Sequence, residues 1–207
     1  MILRTCALSF VIGLALSGCN HDAGPAASSS AAVASTSALV ASPAPAPAPT
    51  PTPGNAAASA SLLAEGADVP DVSAPAQDGS TVSLRGLKGK AIVVYFYPKD
   101  DTPGCTIEAK GIRDQYEQLK GLAVVLGVSA DSLDSHQAFA KKYDLPFLLL
   151  DDSSHALSTA FGVPVSSGHT KRVTFVIDAA GKVRKVFPNV NPDGHAAELI
   201  AALKTLG

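Results

Sequence analysis

The chain has 207 residues, with 16 lysines and arginines against 18 aspartates and glutamates, for a net charge of −2. That balance gives no basic footprint for nucleic acid and no acidic extreme. Tryptophan is absent, and the single methionine is the initiator.

The N-terminus has the order of a targeting segment. Arg4 supplies a positive charge, and Cys6 to Leu16 is an apolar run too short to span a membrane comfortably. The run ends in Leu16-Ser17-Gly18-Cys19, which resembles a bacterial lipobox. Cleavage would then remove residues 1–18 as a lipoprotein signal peptide and leave Cys19 as the lipidated N-terminus. Several acyl chains on one residue anchor a protein stably where one would not. With Cys6 removed and Cys19 lipidated, Cys105 is the one free thiol, so neither an internal disulfide nor a cysteine-based metal site is open to the chain.

Residues 19–61 form a low-complexity linker of Ala, Ser, Pro and Thr, with proline at every second position from Pro43 to Pro53. Such a segment cannot bury enough apolar surface to offset its ordering entropy. Its proline-rich part favours extended, spacer-like conformations.

From Leu62 to Gly207 strands and helices alternate. A Gln77-Asp78-Gly79 turn before Val82-Ser83-Leu84 predicts a small hairpin. Ala91–Phe96 is an apolar strand. Cys105–Leu119 has near-helical apolar spacing at Ile107, Ile112, Tyr116 and Leu119, with Gly121 beyond it. Ala123–Val128 predicts a second strand, Ser132–Tyr143 a helix, Phe147–Leu150 a third strand and Ala156–Phe161 a short helix stopped by Gly162. Val173–Ile177 and Val183–Phe187 flank the hairpin signal Asp178-Ala179-Ala180-Gly181, and Ala196–Leu206 closes the chain as a helix. This order predicts one three-layer α/β domain, a central mixed sheet flanked by helices.

Chemistry concentrates between the first strand and the helix after it. Cys105 stands in the first turn of that helix, where unpaired N–H groups favour an anion. A thiolate is the nucleophilic form of cysteine, so this position predicts a reactive, accessible thiol. Thr102, three residues upstream, can place a hydroxyl beside the sulfur. It is also positioned to cap the helix. Pro98 and Pro103 stiffen the loop and remove N–H groups.

The spacing Pro98-x-x-x-Thr102-x-x-Cys105 resembles the active-site signature of peroxiredoxins. The run from Phe96 to Thr106 and Gly111-Ile112-Arg113-Asp114 are most similar to the Q-type, or bacterioferritin-comigratory-protein, subfamily. Thr174-Phe175-Val176-Ile177-Asp178 and Gly181-Lys182-Val183 extend the likeness. The resemblance implies a thioredoxin-like fold and a thiol-dependent peroxidase reducing hydrogen peroxide and organic hydroperoxides, without a cofactor or bound metal. It makes Cys105 the peroxidatic cysteine and Thr102 the hydroxyl that orients the peroxide. It makes Pro98 the shield of the site and Arg172 the active-site arginine.

Many Q-type proteins carry a second cysteine five residues after the first. Here that residue is Lys110, and no later cysteine exists. The expectation is a one-cysteine cycle, completed by an external thiol or a thioredoxin- or glutaredoxin-like protein. A non-catalytic thioredoxin-like binding or scaffold lipoprotein of the envelope is the alternative. Lys110 is expected to be a solvated helix residue, His169 a surface residue, and the pairs Asp100-Asp101 and Asp151-Asp152 turn or cap residues. The lipobox directs the protein to a periplasm-facing membrane, with Asn20 after Cys19 favouring the outer one. The Q-type resemblance implies a monomer.

Overall fold

Ala91–Phe96 (β3) is apolar along its whole length, and every residue after the first is buried. A strand covered on both faces belongs at the centre of a sheet. The structure, a computed structural model, describes residues 61–206 and places β3 there. The expected signal peptide, Cys19 and the linker up to residue 60 lie outside the described residues.

Before β3, Ser73–Pro75 (β1) and Thr81–Ser83 (β2) pair antiparallel around the Gly79 turn, and one 3-10 turn covers Arg85–Leu87. After it come helix α1 (Pro103–Asp114), helix α2 (Tyr116–Leu119), strand β4 (Ala123–Ser129) and helix α3 (Leu133–Tyr143). Then follow β5 (Leu148–Asp151), α4 (Ala156–Phe161), β6 (Val165–Ser166), β7 (His169–Thr170), β8 (Val173–Ile177), β9 (Val183–Phe187) and α5 (His195–Lys204). The main sheet has the order β5-β4-β3-β8-β9. β3, β4 and β5 run parallel, while β8 is antiparallel to both β3 and β9.

Alternation along the central strands divides the core in two. Ile92, Val94 and Phe96 join Leu126, Phe161, Phe175 and Ile177 on one face, which α4 and the β1–β2 hairpin cover. Val93, Tyr95 and Tyr97 join Val125, Leu149 and Val176 on the other. There α1 contributes Cys105, Ala109 and Ile112, α3 contributes Phe139, and α5 contributes Ala196, Leu199 and Leu203. The result is the three-layer mixed sheet that the order of elements predicts.

Two local differences bear on function. The expected Cys105–Leu119 helix starts two residues earlier, at Pro103, and is interrupted at Gln115, whose φ of −107° and ψ of 11° leave the helical region. Proline suits the first helical position because its fixed φ is pre-organised and its missing N–H would be unpaired anyway. The β6–β7 hairpin was not legible, because its strands are two residues long and largely exposed. Its turn is Ser167-Gly168, both at positive φ.

Candidate active site

The site begins where β3 ends. Tyr97 continues the ladder through its N–H to the Val128 carbonyl and is fully buried. Pro98 is half-buried and Lys99 exposed. The chain turns through Asp101 at φ 56°, enters the extended region at Thr102, and then coils into α1. The first intrahelical bond runs from the Thr106 N–H to the Thr102 carbonyl at 2.9 Å. The N–H groups of Gly104 and Cys105 precede it and have no helical acceptor.

Thr102 occupies the N-cap position, but its side chain caps nothing. Its hydroxyl donates instead to the Lys99 carbonyl at 3.0 Å. With its proton committed there, the oxygen is left with lone pairs for an incoming O–H.

Cys105 is 2% exposed. The expectation of an accessible thiol is corrected: Cys105 points into the core beneath α1, because Ala109 and Ile112 on the same helical face are core residues. It is not an inert core cysteine, since the Arg172 guanidinium donates from Nη2 to Sγ at 3.2 Å. The register explains how residues so far apart in sequence meet. Phe96 pairs with Val173 in the antiparallel β3–β8 ladder, so Arg172 lies one step beyond the end of β3, where the loop departs. Gly104 makes room, because a Cβ there would approach Arg172 Nη2 to 3.3 Å.

The other arm of Arg172 donates from Nη1 to Glu108 Oε2. Glu108 is 1% exposed, and its Oε1 has no partner among the described residues. Burial pushes its carboxyl up to about 7, against the opposing pull of Arg172. Burial also works against the Arg172 charge, but Glu108 and Cys105 outweigh it and hold that guanidinium above its ordinary value. Both values rise, but burial wins at Glu108, which is sealed in, while the paired charge wins at Arg172, which retains some water. His195, at the start of α5, lies nearby. Burial holds it below its ordinary value, and its ring spans Thr174 Oγ1 at 2.9 Å and Glu198 Oε2 at 3.1 Å.

Sequence reasoning missed Glu108. The available signal was its spacing, since residues three apart share a helix face. Asp100 and Asp101 lie in the turn before α1, as expected, but neither caps that helix. Asp100 is buried and accepts from Tyr97 Oη at 2.7 Å and Ser135 Oγ at 2.8 Å, with His136 Nδ1 at 2.9 Å. Asp101 accepts from Lys142 and Tyr143 of α3. Asp152 does cap a helix, taking the Leu157 and Ser158 N–H groups of α4. Lys110 and His169 are exposed.

This arrangement puts a thiol, a charged donor on its sulfur and a hydroxyl at one helix start. The chain as a whole is similar to proteins of known kind. Residues 66–186 match the AhpC/TSA family. A putative peroxiredoxin bcp of Coxiella burnetii is 45% identical over 146 residues, covering 67% of this chain and 97% of that protein. The chloroplastic peroxiredoxin Q of Sedum lineare is 44% identical over 148 residues, covering 70% and 80%. The chain belongs to the AhpC/TSA family, as a Q-type peroxiredoxin. It is therefore a thiol-dependent peroxidase with a thioredoxin-like fold. The structure of the Xanthomonas campestris bacterioferritin comigratory protein, described for its alkyl peroxide reduction activity, superposes with a TM-score of 0.62 at 35% identity. The match covers 65% of this chain and 91% of that one. Mycobacterium tuberculosis BcpB gives 0.64 at 32% identity, covering 69% and 97%.

Proposed function

We propose that this peroxiredoxin reduces hydrogen peroxide and organic hydroperoxides through a one-cysteine cycle centred on Cys105. The observation that carries this reading is the 3.2 Å contact from Arg172 Nη2 to a sulfur that is the sole cysteine among the described residues. A guanidinium donor favours negative charge on that sulfur and on an oxygen arriving beside it.

The Cys105 thiolate attacks one peroxide oxygen in line, and the O–O bond breaks. The sulfur becomes a sulfenic acid, the first step of the oxidation ladder. The departing oxygen takes a proton and leaves as water or alcohol. Thr102 accepts from the peroxide O–H and orients it, Pro98 shields the site, and Arg172 holds the developing charge. An external thiol then attacks the sulfenic acid, releasing water and forming a mixed disulfide. A second thiol equivalent frees Cys105.

The sequence supports lipidation at Cys19 after removal of residues 1–18, and thus a periplasm-facing membrane position, with the outer membrane favoured. Residues 19–61 would tether the peroxidase domain, 62–207, and the Q-type resemblance supports a monomer.

Stopped-flow measurement of peroxide consumption, with mass spectrometry of Cys105, tests the cycle. The expected result is a sulfenic-acid adduct on the native protein and neither adduct nor consumption in Cys105→Ser. Equal, negligible consumption by both proteins sinks the reading.

A further inference from the structure

We propose that Asp101, held by Lys142 and Tyr143, is a positioning residue whose fastening to α3 keeps Cys105 in attacking geometry and opposes the opening that a reductant needs. This rests on the one-cysteine reading above.

Cys105 is 2% exposed. A peroxide is small, but a protein thiol must bring its own sulfur to bonding distance of Sγ. Among the described residues there is no second thiol to do this from within. The first turn of α1 must therefore move after oxidation, and whatever holds that turn sets the ease of reduction.

The turn does little to hold itself. Thr102 provides no side-chain cap, Pro103 has no N–H, and no acidic residue stands in the first turn. Besides the Arg172 contacts to Cys105 and Glu108, the restraint comes through two adjacent carboxylates in the loop that leads into the turn. Asp100 is fastened inside the core, where its three side-chain partners are costly to separate. Asp101 is fastened at the surface. Lys142 Nζ donates to its two oxygens at 2.6 and 2.8 Å, and Tyr143 Oη donates at 2.6 Å. The Lys142 and Asp101 side chains are 55% and 48% exposed, so water can replace these bonds at small cost.

Two further features mark Asp101 as the release point. Its φ of 56° lies in the left-handed region, which costs a non-glycine residue free energy unless its surroundings hold it. Beside the contact is an open surface cleft of about 160 Å3 lined by Asp100, Asp101, Ser135, Ala138, Phe139 and Lys142. Polar bonds rather than close apolar packing thus join the loop to α3 here. The hydrogen bonds also lower Asp101 and raise Lys142 from their ordinary values, as a formed pair requires.

The double variant Lys142→Met with Tyr143→Phe tests the proposal, because it removes the fastening and leaves the loop sequence intact. Single-turnover oxidation by hydrogen peroxide is expected to slow about three- to tenfold. Reduction of the pre-formed sulfenic acid by reduced thioredoxin is expected to speed up by a similar factor. A purely structural role would slow both half-reactions, so a parallel fall, or no change in either, overturns the proposal. Asp101→Asn, which tolerates the left-handed backbone, is expected to shift both rates the same way but less.

Hydrogen exchange provides a readout independent of the peroxidase chemistry. Exchange across residues 101–106 is expected to rise about tenfold in the double variant while β3 stays protected. Unchanged exchange overturns the proposal even if Cys105 proves unreactive, and that unreactivity alone would overturn only the cycle.

Discussion

Arg172 serves two acceptors at once, Cys105 Sγ through Nη2 and Glu108 Oε2 through Nη1. That double duty needs a planar fork of donors, which a lysine ammonium lacks. Arg172→Lys should keep the local charge but lose one of the two contacts. The second-order rate with hydrogen peroxide should fall by roughly 10²-fold, in the range for loss of one charge-stabilising donor. A rate within twofold of native in stopped-flow assays would contradict the proposed role. Glu108 is also open to a pH test. Its carboxyl titrates near 7 in the fold against an ordinary value of 4.5. Between those values the native state binds more protons than the unfolded chain, so the stability that protonated Glu108 contributes is present below pH 4.5 and lost as pH rises through 7. Glu108→Gln removes this dependence. Relative to native, its unfolding free energy should rise with pH between 5 and 8, by on the order of 3 kcal/mol. Urea titrations at several pH values measure the difference, and a pH-independent offset would refute the burial of an ionisable Glu108. Cys105, Thr102 and Arg172 were legible because their residue types and spacing match a known signature. Glu108 and Asp100 were not, because only folding shows that a carboxylate in an otherwise charged stretch is buried.

At the scale of elements, the sequence predicts what periodicity controls. β3, β4 and β8 are read within a residue because each is an apolar run, β9 because it follows the Asp178–Gly181 turn, and α3 because Ser132 caps it through the Ser135 N–H. The break at Gln115 has no counterpart in the apolar spacing, and the β6–β7 hairpin escapes because tertiary bonds rather than local pattern hold it. The hairpin is held by the Lys171 N–H to the Pro164 carbonyl and by Thr170 Oγ1 to the Tyr97 carbonyl at 2.7 Å, which ties it to the base of the active-site loop. Gly127 of β4 shows an equally non-local demand. A Cβ there would lie 2.6 Å from Leu149 Cδ2 and 2.7 Å from the Tyr95 hydroxyl. Tyr95 cannot yield easily, because it is stacked on Tyr97 at 5.4 Å and meets Phe147 edge-on. Gly127→Ala should therefore overpack the face beneath Cys105 and cost about 1–3 kcal/mol. A urea midpoint equal to native would show that the Tyr95 ring has room to move.

At the scale of the whole molecule, the chain combines a peroxidase with a proposed anchor. Residues 20–60 are mostly alanine, serine, proline and threonine, and Ser61 and Leu62 pack against Gly162 at the end of α4. The Leu63 N–H then joins the Phe161 carbonyl, and the Gly66 and Val69 N–H groups reach the carbonyls of Val183 and Gly181. The globular part is thereby bonded along its first residues, so changes upstream of Ser61 should leave Cys105 and its partners in place. This separation allows the anchor to be tested alone. In the full-length protein, Cys19→Ser should move the chain from the membrane to the soluble fraction. Its rate with hydrogen peroxide should stay within twofold of native, because no residue of the site is touched. Its rate with phospholipid hydroperoxides in vesicles should drop at least tenfold, because tethering raises the effective concentration of enzyme at the bilayer. Fractionation decides the first point and vesicle assays the second. A Cys19→Ser protein that stays membrane-bound removes the lipid anchor from the scheme. Equal vesicle rates would leave the anchor but deny it a part in substrate choice.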